Sequence, residues 1–353
     1  MRSLGRRLLS LTALLLLLGA CEVPGAVHPT VKIGLVAPFE GRYRYVGYDL
    51  FPAVRQALRE VNGAGGVGSY YVELVAYDDG ANPAMAAEQA RKLVVDPEVV
   101  AVIGHFRAQT TAAALPIYAR EGLPLVAAGV LDLAPVAGEG VVIRPGPDAE
   151  AVAAALLDRV DGAALIGGSG PLAQALRESG QLAPVVSPDD PAWLEAVLAV
   201  DPPAVICDAE PVAAGEIVAA MQEAGWDGEF LGGPQLAAAD FAAVAGEAAQ
   251  GTLFVTPWPL PEDVESGAEL TAYTEISGGT EPGPLALPAY EAARLMVEAL
   301  RADIAADGTP SRAGVAAALA SLAEERELRQ GYLYWYRIGA AGALEQIAPP
   351  SSP

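Results

Sequence analysis

Short apolar runs alternate with amphipathic stretches along most of this chain. The runs Val31–Ala37, Tyr71–Tyr77 and Val99–Gly104 have the length and apolar character of strands in a sheet. Between the first two runs, apolar residues recur at helical spacing after Asp49, and Asn62-Gly63 is a typical helix end. Strands that alternate with helices predict parallel sheets covered by helices on both faces.

The same alternation restarts after the break Arg144-Pro145-Gly146-Pro147 and continues to a second break at Pro257-Trp258-Pro259. It predicts a second sheet of similar size, and therefore an α/β protein of two Rossmann-like lobes. A ligand cleft is expected at the carboxyl ends of their strands. The second sheet is predicted to contain Ala163–Gly167, Pro184–Val186, Ala204–Asp208, Glu229–Gly232 and Thr252–Thr256. Three helical stretches (near Ala268–Ser277, Leu287–Arg301 and Ser311–Ala323) and a last clear strand, Gly331–Ile338, follow.

The N-terminus has the pattern of an export signal. Three arginines lie among the first seven residues, Leu8–Leu18 is apolar, and Gly19-Ala20 precede Cys21. The apolar run is too short to span a bilayer, which takes about 20 residues. Small residues before a cysteine resemble the lipobox of bacterial lipoproteins, so we expect cleavage after residue 20 and lipid attachment to Cys21. The alternative is an ordinary cleaved signal that a cysteine happens to follow.

Composition narrows the classes of function. Loss of residues 1–20 removes three arginines and no acid, so the formal net charge of −23 becomes −26. Such an acidic body argues against nucleic acid as a partner. It also offers no attraction to anionic lipids, so the membrane contact is expected to come from the lipid anchor alone. The only other cysteine, Cys207, is predicted to be a buried residue, which leaves the body without an internal disulfide.

No enzyme chemistry stands out in the sequence. His28 and His105 are the only histidines, so a transition-metal cluster or a nucleophilic triad lacks residues, and no cofactor is predicted. The segment Gly168–Ala173 echoes the dinucleotide-binding fingerprint, whose glycines permit a tight turn close to a pyrophosphate. Pro171 at a helix start explains the same residues, and the next strand lacks an acidic end at Val186.

Several motifs together resemble one family, the type I periplasmic binding proteins, and within it the branched-chain amino acid (leucine-binding) proteins. The similarity runs from residue 31 to about 347, and its motifs occur in the family's order. They include Val31–Gly41 (VKIGLVAPFEG), Ala57–Gly66 (ALREVNGAGG), Val75–Asp79 (VAYDD), Gly232-Gly233-Pro234 and Gly246–Gly251 (GEAAQG).

The resemblance implies a monomeric Venus-flytrap receptor that closes two lobes around a small polar solute. Such a receptor delivers its solute to the permease subunits of an ABC importer, outside the cytoplasm. The alternative is a sensor of the same fold that signals to a membrane partner without transport. The implied parts are a tether (21–30), a first lobe (31–144 with 257–328), a second lobe (145–256 with 329–348) and a tail (349–353).

The residues at the family's ligand-binding positions depart from the amino-acid-binding pattern. Ala108 falls where a serine is expected, and Leu131, two residues after Gly129, falls where a threonine is expected. Glu210 replaces a tyrosine and Gln235 a carboxylate. The family's early disulfide is also absent. Because Ala and Leu cannot bind a ligand carboxylate, we do not expect a standard leucine-type ligand.

A pocket that uses charge is the resulting hypothesis. Arg107, with Arg42 or Arg44, is the candidate for binding an anionic group, because guanidinium suits bidentate contact with carboxylate. Asp132, Asp208 and Glu210 are the candidates for a cationic group. The alternative for each is a solvated residue at the cleft rim.

Aromatic residues are the candidates for apolar walls of this pocket. Tyr43, Phe106 and Trp258 lie in or beside the loops that follow predicted strands. For each of them, packing in the core or at the hinge is an equally good reading of the sequence.

Overall fold

The first part of the chain forms a five-stranded parallel sheet with the order β2-β1-β3-β4-β5. The computed structural model describes residues 28–130, 142–261, 270–328 and 331–348, apart from the side chain of Arg42. The strands are β1 (Thr30–Ala37), β2 (Tyr71–Asp78), β3 (Val99–Gly104), β4 (Leu125–Val126) and β5 (Val142–Ile143). The helices between them are α1 (Arg44–Gly63), α2 (Pro83–Val94) and α3 (Ala108–Arg120).

A second sheet of seven strands has the order β12-β11-β10-β9-β8-β6-β7. Its first five strands are β6 (Ala163–Gly167), β7 (Val185–Val186), β8 (Ala204–Asp208), β9 (Glu229–Gly232) and β10 (Leu253–Thr256). The last two are β11 (Tyr334–Ile338), which runs antiparallel to β10, and β12 (Leu344–Gln346), which runs antiparallel to β11. The helices among these strands are α4 (Ala149–Arg159), α5 (Pro171–Glu178), α6 (Trp193–Leu198), α7 (Pro211–Glu223) and α8 (Ala239–Ala245).

Three helices late in the chain return to the first sheet. They are α9 (Tyr273–Ser277), α10 (Ala286–Asp307) and α11 (Arg312–Glu325). Tyr290, Met296 and Leu300 of α10 are buried in one core with Ile33 and Leu35 of β1. The two parallel-sheet lobes therefore confirm the predicted fold class, while the exact lobe boundaries stay a prediction.

The chain passes between the sheets at three neighbouring places. Gly146 N donates a hydrogen bond to Leu328 O at 2.7 Å, which joins the first crossing to the third. A Cβ atom on Gly146 would lie 3.5 Å from the Pro257 carbonyl oxygen, so the second crossing is adjacent as well. Three adjacent connections of this kind make a natural hinge.

Several predicted elements need correction. Helix α1 begins at Arg44, five residues before Asp49, and continues through Pro52. The reason is that the buried Asp49 side chain accepts hydrogen bonds from Gly283 N and Leu285 N, and so does not start its own helix. The sequence analysis also missed β5 and β12, which are two and three residues long. The helix predicted near Ala268–Ser277 is described only from Tyr273 to Ser277.

Some predictions fall outside the described residues. These are the export signal, Cys21, Leu131, Asp132 and the side chain of Arg42. Within the described part of the chain, no helix has the length and apolar character needed to cross a membrane.

Candidate functional site

The strand orders of the two sheets define where a ligand is expected. In the first sheet the connections diverge between β1 and β3, and in the second they diverge between β6 and β8. In open α/β sheets, ligands bind at such a switch point, beyond the carboxyl ends of the strands. The loops that follow β1, β3, β6 and β8 are therefore the ones to inspect.

Arg107 reaches the switch point of the first sheet from the loop after β3. It is the N-cap residue of α3, and its carbonyl accepts hydrogen bonds from the hydroxyls of Thr111 (2.7 Å) and Thr110 (3.1 Å). The preceding Phe106 is buried and has a φ of +63°, a backbone conformation that residues other than glycine rarely adopt. The loop conformation is thus specific, and it fixes where the guanidinium lies.

Glu210 meets Arg107 from the other sheet. Arg107 Nη1 lies 2.5 Å from Glu210 Oε1, in an ion pair whose side chains are 26% and 27% exposed. Tyr45 Oη donates to Glu210 Oε2 at 3.0 Å, and the guanidinium carbon stacks 3.9 Å from the centre of the Tyr43 ring. The loops after β1, β3 and β8 therefore meet in one polar cluster, Tyr43–Tyr45–Arg107–Glu210.

The electrostatics of this cluster keep Arg107 charged and the Tyr45 hydroxyl protonated. Burial lowers the pKa of Arg107, but the charge of Glu210 and its hydrogen bond raise it, with a net increase. Burial, followed by the charge of Glu210, raises the pKa of Tyr45 well above its ordinary value. Tyr45 thus remains a protonated donor. The cluster offers one cationic and one anionic group, as a zwitterionic ligand requires.

A buried hydrogen-bond network supports the loop that carries Arg107. His105 is fully buried, with Nδ1 2.9 Å from Asp79 Oδ2 and Nε2 2.9 Å from Tyr118 Oη. Burial raises the pKa of Tyr118, so its hydroxyl stays a donor. If Tyr118 donates to Nε2, the imidazole N–H lies at Nδ1 and donates to Asp79. This network fixes the His105 ring beneath the site.

The apolar side of the site gathers around Gly129, beyond β4. A Cβ atom there would lie 2.8 Å from Leu285 Cδ2, 3.6 Å from Phe106 Cδ1 and 4.0 Å from Trp258 Cη2. Gly129 also has a φ of +70°, so both space and conformation require glycine. Trp258 is 9% exposed, and its indole Nε1 is buried with no hydrogen-bond partner among the described residues.

Asp208 and Gln235 form a separate cluster within the second lobe. Asp208 Oδ2 accepts from Ala173 N at the start of α5, and Oδ1 accepts from Gln235 Nε2, both at 2.9 Å. Arg177 donates to the carbonyls of Gly167 and Gly168. A carboxylate therefore occupies the helix start where a phosphate would bind, so the dinucleotide reading of Gly168–Ala173 has no structural support.

The remaining predicted residues divide as follows. Ala108 is the first residue of α3 and is half-buried, and the nearby hydroxyls of Thr110 and Thr111 donate to backbone carbonyls. Cys207 is fully buried, as predicted, and burial raises the pKa of its thiol. In the described ranges, no group of three or more His, Cys, Asp or Glu residues is placed to hold a metal ion.

Sequence reasoning missed Tyr45 and Leu285. Tyr45 belongs to the first turn of α1, which the sequence prediction began only after Asp49. The run Arg42–Tyr45 alternates arginine with tyrosine directly after the first cleft loop, and this is the signal that would have found it. Leu285 carries no comparable signal, because an isolated leucine before a helix is common in any core.

The fold and this site define a class of two-lobed, solute-binding proteins. A sequence profile described as "Periplasmic binding protein" matches residues 30–179 and 179–332. The chain therefore belongs to the type I periplasmic binding proteins of the branched-chain amino acid family, which confirms the resemblance found in the sequence. It is a family of solute-binding proteins and not of enzymes.

Curated relatives share a segment of the chain. A leucine-specific-binding protein of Salmonella typhimurium is 32% identical over 105 residues, 30% of this chain and 28% of the relative. An amino acid binding protein of Pseudomonas aeruginosa is 31% identical over 99 residues, 28% of this chain and 26% of the relative. The aligned segment thus spans little more than a quarter of each relative.

Solved structures match over nearly the whole chain. A leucine binding protein from Thermotoga maritima has a TM-score of 0.75 at 19% identity and covers 91% of this chain and 99% of its own. A branched-chain amino acid transporter substrate binding protein from Streptococcus pneumoniae, in complex with isoleucine, has a TM-score of 0.76 at 20% identity. It covers 92% of this chain and 100% of its own. At these identities the likeness establishes the fold alone.

Proposed function

We propose that this chain captures a small zwitterionic solute between its lobes and delivers it to an ABC importer. The solute is amino-acid-like, and its carboxylate binds Arg107 while its ammonium group binds Glu210. Relatives named as leucine- and Leu/Ile/Val-binding proteins support an amino-acid-like ligand. The proposed lobes are residues 31–144 with 257–328, and residues 145–256 with 329–348.

The observation that carries this proposal is the ion pair between Arg107 and Glu210. Its two members belong to different sheets and lie at the two switch points, where a ligand of this fold is expected. When a zwitterion enters, its carboxylate replaces Glu210 as the partner of Arg107. Its ammonium group replaces Arg107 as the partner of Glu210, so both side-chain charges stay paired. Tyr45 Oη already donates to Glu210 and helps to hold that carboxylate in position.

The predicted export signal supports delivery at a membrane. Cleavage before Cys21 and its acylation would hold the receptor at the membrane, next to a permease. Tethering raises the local concentration of the receptor near its partner.

Calorimetric and thermal-shift titration of the full chain in mild detergent tests the proposal. The ligands are amino acids, amides, polyamines and small carboxylates. A zwitterion at 100 times its Kd should stabilise the chain by about 2.7 kcal/mol. Arg107→Ala and Glu210→Gln should each weaken its binding about tenfold or more, because each removes one charged hydrogen-bonding partner.

Matched controls come from exposed charges elsewhere in the chain. Arg91→Ala on α2 and Glu216→Gln on α7 make the same changes of charge at exposed positions and should leave affinity unchanged. Binding that survives both Arg107→Ala and Glu210→Gln would contradict the proposed site. Binding of a simple monoamine or monocarboxylate alone would contradict the zwitterionic class.

A further inference from the structure

Trp258 lies where the second crossing leaves β10, and its backbone is fixed there. The Thr256 hydroxyl donates to Trp258 O at 2.8 Å and lies 3.2 Å from Trp258 N. Its ring edge approaches Gly129 together with Phe106 and Leu285. Phe106 directly precedes Arg107 in the loop after β3, so the indole lies beside the loop that carries Arg107.

The indole N–H of Trp258 is the unusual feature of this wall. It is buried and has no hydrogen-bond partner in the described part of the chain. Buried donors in folded proteins are nearly always paired, and an unpaired one calls for an explanation. Trp226 shows the ordinary arrangement in the same molecule, because its buried indole donates to Pro202 O at 2.8 Å.

We infer that Trp258 Nε1 donates a hydrogen bond to an uncharged acceptor on the far end of the solute. This inference rests on the proposed function, in which Arg107 and Glu210 take the two charged groups of a zwitterion. The remainder of such a solute extends toward Phe106, Leu285 and Trp258. The cleft thus selects zwitterions whose side chain ends in a carbonyl group, such as a side-chain amide.

The chemistry of the donor decides between a neutral and an anionic acceptor. An indole N–H donates one hydrogen bond and carries no charge. A second ligand carboxylate at Trp258 would lose its water without gaining a cation from the indole, and burying a charge in this way is unfavourable. An amide carbonyl loses less on burial and needs only the one donor.

An apolar side chain leaves the indole N–H without a partner when the lobes close. A site built to bind a polar group discriminates strongly against an analogue that lacks it. We therefore expect the wild-type chain to bind asparagine or glutamine at least about tenfold more tightly than leucine, which is close in shape to asparagine.

Calorimetry with asparagine, glutamine and leucine, on the full chain in detergent, tests this inference. Trp258→Phe keeps an aromatic ring but removes the donor, so the preference for amide side chains should fall to within about threefold. Trp226→Phe is the matched control: it should lower thermal stability and leave the preference intact. In two-dimensional NMR spectra of the ¹⁵N-labelled wild-type chain, the indole proton assigned to Trp258 should shift downfield with the amide ligands and not with leucine.

The outcomes separate the two proposals. If no zwitterion binds, the proposed function fails, and this inference with it. If zwitterions bind but leucine equals asparagine in the wild-type chain, only the inference fails. Should Trp258→Phe not fold, the NMR shift decides: an indole proton that does not respond to the amides overturns the assignment.

Discussion

At the scale of single residues, buried carboxylates in this chain are held by backbone donors. Asp208 accepts from Ala173 N, and Asp49 accepts from Gly283 N and Leu285 N. Asp303, only 3% exposed, accepts from Ser311 N at 2.7 Å. Each contact joins two different segments of the chain, and the donors compensate the cost of burying the carboxylate.

Replacing Gly314 tests how tightly one such carboxylate is enclosed. A Cβ atom on Gly314, in the first turn of α11, would overlap Oδ1 of Asp303. We expect Gly314→Ala to destabilise the chain by about 1–3 kcal/mol, because Asp303 must move and lose its bond to Ser311. Urea unfolding measures the difference.

Gly63→Ala provides the matched control for that substitution. Gly63 ends α1, and nothing lies within 4 Å of a Cβ placed there, so alanine should be neutral or slightly stabilising. Equal effects of the two substitutions would contradict the steric explanation.

The residues of the site show what sequence can and cannot give. Arg107 and Glu210 were identifiable as charged residues at family ligand positions. Their pairing was not, because they lie 103 residues apart and meet only when two sheets face each other. Asp208 and Gln235 were identifiable in the same way, yet their contact with each other depends on where α5 begins.

At the scale of elements, long strands and helices followed from their periodicity, whereas the start of α10 depends on a distant residue. Asp49 of α1 receives hydrogen bonds from Gly283 and Leu285 immediately before α10. Tyr273 of α9 donates to the Asp49 carbonyl at 2.7 Å. No local sequence pattern predicts these hydrogen bonds. The sequence therefore predicts where α10 lies along the chain but not its attachment to Asp49.

The buried carboxyl group of Asp49 should make the free energy of unfolding depend on pH. Burial raises the pKa of Asp49 from 3.8 to about 6, against the hydrogen bonds that favour its ionised form. Between these values the folded chain binds the proton that the unfolded chain has lost. The contribution of Asp49 to stability is therefore fully present below about pH 3.8 and is lost as the pH rises through about 6.

Comparison with Asp49→Asn isolates this contribution from the other carboxylates. The difference in unfolding free energy, wild type minus variant, should decrease by about 2 kcal/mol between pH 4 and pH 7. Urea unfolding at each pH gives the difference. An increase with pH would mean that the backbone donors outweigh burial, and that the pKa of Asp49 is in fact lowered.

At the scale of the whole molecule, three adjacent crossings leave the lobes free to hinge, and the ion pair of Arg107 and Glu210 spans the cleft between them. A partly exposed ion pair contributes about 0–1 kcal/mol. The ion pair is thus a weak interaction. A zwitterion that contacts both Arg107 and Glu210 can replace it with two contacts. Under the proposed function we expect the ligand to drive closure, because such a solute would contact both lobes only in the closed form.

Without ligand, neutralising Glu210 should shift the chain toward open forms. If the ion pair stabilises the closed form by about 1 kcal/mol, its loss changes the ratio of closed to open chains about fivefold. Small-angle X-ray scattering of the ligand-free chain at low salt should therefore give a larger radius of gyration for Glu210→Gln than for wild type. Glu216→Gln, an exposed change on α7, the helix that follows Glu210, should match wild type. High salt should bring wild type toward the Glu210→Gln value, since salt screens the pair. A radius that is the same for all three chains at every salt concentration would show that the ion pair does not hold the lobes together.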